Sequence, residues 1–330
     1  EKLIRDGEGR VCGVSIHHEG KFVRVQATGG VILASGGFEN APDLQQQFWQ
    51  LRPVLSAAAP GNTGDGLRMA MSAGADLWHM WHFHGSYGFR HPDPALPNAA
   101  IRMKRMPDWR PSAEGAPGSE EKAVPMCWIV VDRKGQRYMN EYPPYLQDTG
   151  HREMDAYDPA TQDFPRIPSW VIFDEAGREM YPVGQPVFSD PKAHYDWSAD
   201  NLKEVDNGLL LKGNTLADLA QQMGMNAVTL AETISAWNAS VARGKDPLGR
   251  PPSSQVAIRT GPYYAGQVWP AISNTQGGPR HDPLQRVLDP FGTPIPGLYV
   301  AGELGSVWGS LYLVGGNLAD PFPVGRSKLG

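Results

Sequence analysis

Cysteine and clustered basic residues are both scarce in this chain. Cys12 and Cys127 are the two cysteines among 330 residues, and their spacing matches no disulfide framework, redox pair or metal site. Such scarcity is typical of proteins in a reducing compartment and predicts a cytoplasmic location. The formal net charge is −5, without a run of Lys or Arg, so the sequence predicts no nucleic-acid partner.

Long apolar runs are missing as well. No stretch approaches the roughly 18 to 20 apolar residues that cross a bilayer, so the sequence predicts no membrane span. The first residues also lack the basic and apolar regions of a secretory signal. Because the chain starts at Glu1 without an initiator Met, we expect it to be a fragment, whose missing start would hide any targeting signal.

Glycine, proline and aromatic residues are abundant. The chain has 38 Gly and 30 Pro, together with ten Trp, eleven Tyr and ten Phe. This composition predicts a loop-rich globular protein with enough core material for one large domain or two ordinary ones.

Two kinds of strand pattern stand out. Residues 11–16 and 22–25 alternate apolar and polar side chains around a turn at 17–20, which predicts a β-hairpin. Residues 31–34 and 297–301 are instead short continuous apolar runs followed by small residues, which predicts strands buried on both faces with a ligand loop at their ends.

Glycine and polar caps mark three helices. Leu67, Ala70 and Met71 share a helical face that Thr63 or Asp65 can cap. Residues 216–223 predict a short helix that ends at Gly224, and a longer helix runs from an Asn226 cap to Gly244. Residues 79–200 show few periodicities, and we expect irregular structure there around short strands such as 128–132.

Seven collinear segments resemble the flavoprotein family of fumarate reductases, succinate dehydrogenases and 3-ketosteroid dehydrogenases, nearest the last of these. The segments are GGVILASGGFENAP, GNTGDGLRMAMSAGADL, VDRKGQRYMNEYPPY, WVIFDEAGREMY, TLADLAQQMGMNAVTLAETISAWNASVARGKDPLGR, NTQGGPRHD and IPGLYVAGELGSVWGSLYLVGGNLA. The resemblance implies an α/β fold: a partial, Rossmann-like FAD-binding domain at 1–78 and 262–330, interrupted by an α+β substrate-capping domain at 79–261.

The fingerprint G-x-G-x-x-G occurs nowhere in the chain. In the resembling family this fingerprint lies in an amino-terminal βαβ unit that seats the FAD pyrophosphate on a helix N-terminus. The expectation is therefore that this unit is missing and that the visible chain alone holds FAD poorly.

The resemblance implies a set of FAD-binding residues. Small residues at the end of the first buried strand lie near the adenosine half of FAD, and polar residues of the GNTGDG segment face cofactor hydroxyls. An acid after the last strand accepts hydrogen bonds from the ribityl chain. A glycine-rich loop faces the pyrimidine edge of the flavin. In this order they are Ala34, Ser35, Gly36 and Gly37; Thr63 and Asp65; Glu303; and Gly315, Gly316, Asn317 and Leu318. For Asp65, plain helix capping is an equally open interpretation.

On the substrate side the chain departs from the dicarboxylate reductases. Tyr145 and Leu313 stand where those enzymes have arginines, and Asn274 stands where they have a histidine. Because a dicarboxylate needs bidentate cationic partners, their loss argues against fumarate. The resemblance implies instead that Tyr145 transfers a proton, with Tyr312 as a second candidate; aromatic packing is the alternative for both. Arg137 and Glu141 in the same motif are expected to orient the loop through an ion pair.

Histidines at 79, 82 and 84 form an H-x-x-H-x-H pattern. Strand alternation puts His82 and His84 on one face, whereas a metal site needs at least three converging ligands, so we expect no metal. The resemblance makes His82 and His84 candidates for substrate contact.

The sequence thus favours an FAD-dependent oxidoreductase acting on a carbon–carbon bond next to a carbonyl. Hydride would pass to or from flavin N5, the substrate would be a hydrophobic small molecule such as a steroid, and the electron acceptor stays unknown. Two alternatives remain open: a fumarate-type dicarboxylate reductase, and a cofactor-free remnant that binds a ligand or a protein partner.

Overall fold

The computed structural model describes residues 2–104, 125–142, 150–185, 190–307 and 309. Its strands are β1 (Lys2–Arg5), β2 (Val11–His18), β3 (Lys21–Gln26), β4 (Val31–Leu33), β5 (Leu55–Ser56), β6 (Leu77–Trp78), β7 (Phe83–Arg90), β8 (Ala100–Met103), β9 (Ile129–Val131), β10 (Ser169–Asp174), β11 (Gly184–Gln185), β12 (Leu210–Gly213), β13 (Tyr263–Thr275), β14 (Gly278–Pro279), β15 (Arg286–Leu288) and β16 (Pro294–Val300). Its helices are α1 (Pro42–Phe48), α2 (Asp65–Ser72), α3 (Glu175–Met180), α4 (Leu202–Asp206), α5 (Leu216–Met223) and α6 (Ala227–Arg243). None of these helices is long and apolar enough to cross a membrane.

The chain divides into two compact units. Unit 1 contains residues 1–50, 58–84 and 272–330, and unit 2 contains residues 51–57 and 85–271. Unit 1 therefore holds the described members of the FAD-binding set and Asn274, which the sequence assigned to the substrate.

Unit 1 begins with an antiparallel sheet in the order β1-β2-β3. The predicted hairpin is confirmed, with His18 opposite Lys21. The turn is shorter than expected, because Glu19 and Gly20 both adopt positive φ angles, 48° and 77°, and close it with two residues. The histidines at 17 and 18 therefore belong to β2.

A second sheet of unit 1, in the order β15-β16-β4, brings the two apolar strands together. Strands β16 and β4 run parallel, with Tyr299 opposite Ile32, so the loops that follow them leave the same edge of the sheet. The prediction that β4 is buried on both faces was wrong, because Leu33 is buried but Ile32 is 68% exposed. In the described sheet β4 is an edge strand, and no described residue covers the Ile32 side chain enough to bury it.

Helix α2 forms as predicted and buries Leu67 and Ala70, whereas Met71 is exposed. Its capping differs from the prediction. The N-cap is Gly64 in the left-handed conformation, with φ of 76° and no side-chain hydrogen bond, so neither Thr63 nor Asp65 caps the helix. A side chain at Gly64 would press on Leu44, since a Cβ built there lies 2.4 Å from Leu44 Cδ1.

Unit 2 is organised around a sheet in the order β11-β8-β7-β13-β10-β9, with β12 and β5 also paired to β13. Strand β9 confirms the strand predicted near residue 130, but the expectation of irregular structure was wrong for β7, β10 and α3. All six residues of β10 are buried, which removes the alternation that marks a strand in sequence.

Two predicted helices of unit 2 are confirmed at their expected bounds. Thr215 and Asp218 form a reciprocal capping box at the start of α5, and Asn226 Oδ1 accepts from the amides of Val228 and Thr229 at the start of α6. Both helices end at left-handed glycines. Their apolar faces cover the sheet through a core that contains Ile129, Val131, Trp170, Ile172, Leu219, Leu230, Ile234 and Trp237.

The predicted ion pair between Arg137 and Glu141 is present in unit 2, at 2.6 Å. Arg137 also pairs with Asp246 at 2.5 Å, and the fully buried Arg250 reaches Glu141 at 3.4 Å. The Trp237 ring lies 4.6 and 4.9 Å from the guanidinium carbons of Arg137 and Arg250. Each of these four buried charged groups therefore has a partner of opposite charge, as burial requires.

Candidate functional site

Glu303 lies at the centre of a polar cluster in unit 1. It sits in the turn Gly302–Gly305 that follows β16 and is half-buried. Its Oε1 accepts hydrogen bonds from Asn274 Nδ2 at 3.0 Å and from the Thr275 amide at 3.1 Å. Its Oε2 accepts a longer bond from Asn62 Nδ2 at 3.4 Å. Since a carboxylate offers about four acceptor positions, Glu303 keeps capacity for a further donor.

A second carboxyl group, that of Glu39, lies against this cluster. It comes from the loop after β4 and is 1% exposed. The Thr275 amide donates to Glu39 Oε1 at 2.7 Å, while Glu39 Oε2 has no donor among the described residues. Burial first, and then the neighbouring Glu303 carboxyl, raise the pKa of Glu39 well above its usual range.

The predicted glycines at 36 and 37 line the same cluster. A Cβ at Gly37 would lie 1.9 Å from Thr275 Oγ1 and 2.8 Å from Glu39 Oε1, and one at Gly36 would lie 2.5 Å from Asn62 Oδ1. No larger residue fits at either position unless the polar groups move. The backbone after β4 is therefore held directly against the side chains that surround the two acids.

The start of α2 lies beside this loop. A Cβ at Gly66 would lie 2.2 Å from Ser35 Oγ, and the Gly64 amide donates to the Gly37 carbonyl at 3.2 Å. Ala34, Ser35, Thr63 and Asp65 are all exposed. Four of the predicted cofactor residues thus stand at the surface of this part of unit 1, where a ligand can reach them.

The segment after β13 joins the cluster to a second group of polar atoms. Ser306 Oγ donates to Gln276 Oε1 at 3.1 Å, and Gln276 Nε2 is buried without a partner among the described residues. A Cβ at Gly278 would lie 1.3 Å from the Leu304 carbonyl oxygen, so this segment packs directly on the Glu303 turn. The indole nitrogen of Trp78, opposite Gly278 in the β6–β14 pair, also lacks a partner there.

The two predicted histidines are buried in unit 1. The His82 carbonyl accepts from the Gln276 amide at 3.3 Å, which places His82 beside the segment that carries Asn274. His84 is buried two residues further along the chain. In the described residues no group of three or more His, Cys, Asp or Glu side chains is arranged to hold a metal ion.

The structure therefore gathers Gly36, Gly37, Asn274 and Glu303 into one cluster, although Asn274 donates to Glu303 rather than standing free. Other predicted residues, namely Tyr145, Tyr312, Gly315, Gly316, Asn317 and Leu318, lie outside the described residues. The sequence analysis did not single out three members of the cluster: Glu39, Asn62 and Thr275. For Glu39 a signal existed, since an acid within a stretch of small and apolar residues six positions after β4 needs a partner.

The arrangement fits a ligand that carries several hydroxyl or amide groups. Among the described residues, Glu303 is a half-buried acceptor, Gln276 Nε2 and Trp78 Nε1 are buried donors without a partner, and Gly36 and Gly37 allow close backbone approach.

Comparison with known proteins agrees with this chemistry. The chain is 29% identical to a 3-oxosteroid 1-dehydrogenase of Mycolicibacterium smegmatis, over 95% of this chain and 54% of that protein. It is 27% identical to a fumarate reductase (cytochrome) of Shewanella frigidimarina, over 98% of this chain and 49% of that protein.

A solved structure is similar over the same range. The 3-ketosteroid delta1-dehydrogenase from Sterolibacterium denitrificans, in complex with 1,4-androstadiene-3,17-dione, matches with a TM-score of 0.75 and 28% identity, over 98% of this chain and 57% of that one. The chain thus spans about half the length of the relatives it matches. Residues 1–318 match the FAD binding domain family, and the chain belongs to that family.

Proposed function

We propose that this chain is the FAD-binding and substrate-capping part of an FAD-dependent oxidoreductase that acts on a carbon–carbon bond next to a carbonyl. Family membership and the similarity to dehydrogenases and reductases support the reaction class. The observation that carries the proposal is the cluster around Glu303, because it brings Gly36 and Gly37 together with Glu303, three residues that the resemblance assigns to FAD. Unit 1 would hold the cofactor and unit 2 would supply the cap.

The half-buried Glu303 carboxylate would accept a hydrogen bond from a cofactor hydroxyl. Gly36 and Gly37 would let the backbone approach the cofactor closely, since they carry no Cβ. Ser35, Thr63 and Asp65 would offer exposed polar groups beside them. When bound, FAD supplies a hydride acceptor or donor at N5.

The proposed substrate is a cyclic ketone of steroid-like character. Neither Tyr145 nor Leu313 offers the cationic fork that a dicarboxylate needs. Tyr145 is proposed to hold and move the substrate proton, with Tyr312 as the second hydroxyl and with His82 and His84 as substrate contacts. An ordinary phenol has a pKa near 10, so the site must lower that pKa or use the hydroxyl to polarise the carbonyl.

The first test is a visible absorption spectrum of the protein purified from its native source. A flavin band supports the proposal, because nothing in the polypeptide absorbs there. Its absence would instead favour a cofactor-free module that binds a ligand or a partner.

The second test replaces the proposed proton-transfer group. Tyr145→Phe should leave flavin bound but slow flavin reduction by a 3-ketosteroid by roughly 10²- to 10⁴-fold, as expected for a lost acid–base group. Stopped-flow absorbance under anaerobic conditions measures this rate. Tyr157→Phe is the control, because Tyr157 is 53% exposed and should leave the rate unchanged. An unchanged rate in the Tyr145 variant would remove Tyr145 from the mechanism.

A further inference from the structure

Two carboxyl groups of unit 1 converge on a single backbone amide. The Thr275 N–H donates to Glu39 Oε1 at 2.7 Å and to Glu303 Oε1 at 3.1 Å, so one donor holds the two carboxyl groups next to each other. Neighbouring carboxylates do not both ionise readily, particularly where burial removes water. Among the described residues no Lys, Arg or His pairs with either acid. Sharing one proton between the two carboxyl groups would remove the repulsion between them.

The hydrogen-bond donors decide which acid keeps the proton. Glu303 receives three donors, the Asn62 and Asn274 side-chain amides and the Thr275 backbone amide. Glu39 receives two, the Thr275 backbone amide and its own. Donors stabilise the ionised form, and burial destabilises it. Glu303 is half-buried, while Glu39 is almost completely buried. Both effects place the charge on Glu303.

We propose that Glu39 is held as the neutral acid and donates a hydrogen bond to the ionised Glu303, so that Glu39 is a positioning residue for the carboxylate that faces the cofactor. The part of this inference that concerns the cofactor rests on the proposed function. The part that concerns the proton rests on the cluster itself. No described group donates to Glu39 Oε2. That oxygen needs no donor if it carries the hydrogen that Glu39 donates to Glu303.

The position of the proton can be read directly by infrared spectroscopy. The purified protein, with isotope-labelled glutamate, should show the carbonyl stretch of a protonated carboxylic acid at neutral pH. The band should disappear in Glu39→Gln and persist in Glu303→Gln. Absence of the band in the wild-type protein, or its loss in Glu303→Gln with retention in Glu39→Gln, would overturn the assignment.

The positioning role is tested by FAD affinity. Glu39→Gln keeps a donor of the same shape and should bind FAD as tightly as the wild type. Glu39→Leu removes the donor and should weaken FAD binding by roughly 10- to 100-fold, the value of one hydrogen bond to a charged group. Circular dichroism checks that both variants are folded.

The outcomes separate the two proposals. If Glu39→Leu and the wild type bind FAD with equal affinity, Glu39 does not position Glu303 for the cofactor, even when the infrared band is present. A wild-type protein that binds no FAD would overturn the proposed function together with this role, whereas the infrared result would still decide which acid carries the proton.

Discussion

A single buried acid shows how local environment, rather than residue type, sets charge in this protein. Glu39 would ionise near its ordinary pKa of 4.5 in an unfolded chain, but burial and Glu303 raise its pKa in the folded state. Between the two pKa values the folded protein binds one proton more than the unfolded chain. The free energy of unfolding therefore falls as pH rises through that range.

Glu39→Gln removes this proton uptake and supplies the test. Above about pH 4.5, the stability of the variant relative to the wild type should rise by up to about 1.4 kcal/mol for each pH unit, until the folded-state pKa is passed. Urea unfolding at a series of pH values measures the difference. Parallel stability curves for the two proteins would mean that Glu39 is ionised in the folded state.

At the scale of elements, helix α6 depends on a cap that is visible in the sequence. Asn226 Oδ1 accepts from the amides of Val228 and Thr229 at 2.8 and 3.1 Å, which satisfies two donors at the helix start. Asn226→Ala should lower the free energy of unfolding by about 1 kcal/mol. Asn226→Asp should keep most of the stabilisation that the cap contributes, since Asp also caps helices well. Thermal unfolding measures both.

A matched control is the second residue of the same helix, Val228. Val228 is 65% exposed, so Val228→Ala removes little packing and should change stability by less than about 0.5 kcal/mol. Equal losses in Asn226→Ala and Val228→Ala would show that the cap contributes nothing specific.

Elements whose signal is local were predictable, and contacts between distant segments were not. The hairpin, α2, α5 and α6 follow from alternation, helical spacing and glycine stops within single windows of sequence. Strand β10 was missed because both of its faces are buried, and β7 because glycines interrupt its pattern. The bond between Thr275 and Glu39 joins residues 236 positions apart, so no window of sequence contains it.

The residues of the candidate site also divide into those that a local motif predicts and those that it does not. Glu303, Gly36 and Gly37 could be named because they belong to motifs that follow apolar strands, and the parallel pairing of β4 with β16 brings those motifs to one edge. Glu39 and Asn62 belong to no motif. They are recognised as members of the cluster only from their contacts with Thr275 and Glu303 in the folded chain.

At the scale of the whole molecule, the chain spans about half the length of its relatives, so its chemistry must be tested in the protein as it occurs in its native source. The similarity covers both 3-ketosteroid dehydrogenases and fumarate reductases. Overall identity does not separate these classes, since it is 29% for the first and 27% for the second. The separation must come from residues that recognise the substrate.

Substrate choice is therefore the most informative property of the whole protein. The proposed function places Tyr145 and Leu313 where the resemblance implies arginines in dicarboxylate reductases. Each charge-assisted hydrogen bond is worth about 1.5–3 kcal/mol. Loss of two such partners should make anaerobic flavin reduction by succinate roughly 10²- to 10⁴-fold slower than reduction by a 3-ketosteroid. Stopped-flow absorbance with each substrate at saturating concentration measures both rates. Comparable rates would instead place the protein with the dicarboxylate enzymes and would require that cations elsewhere in the chain bind the carboxylates.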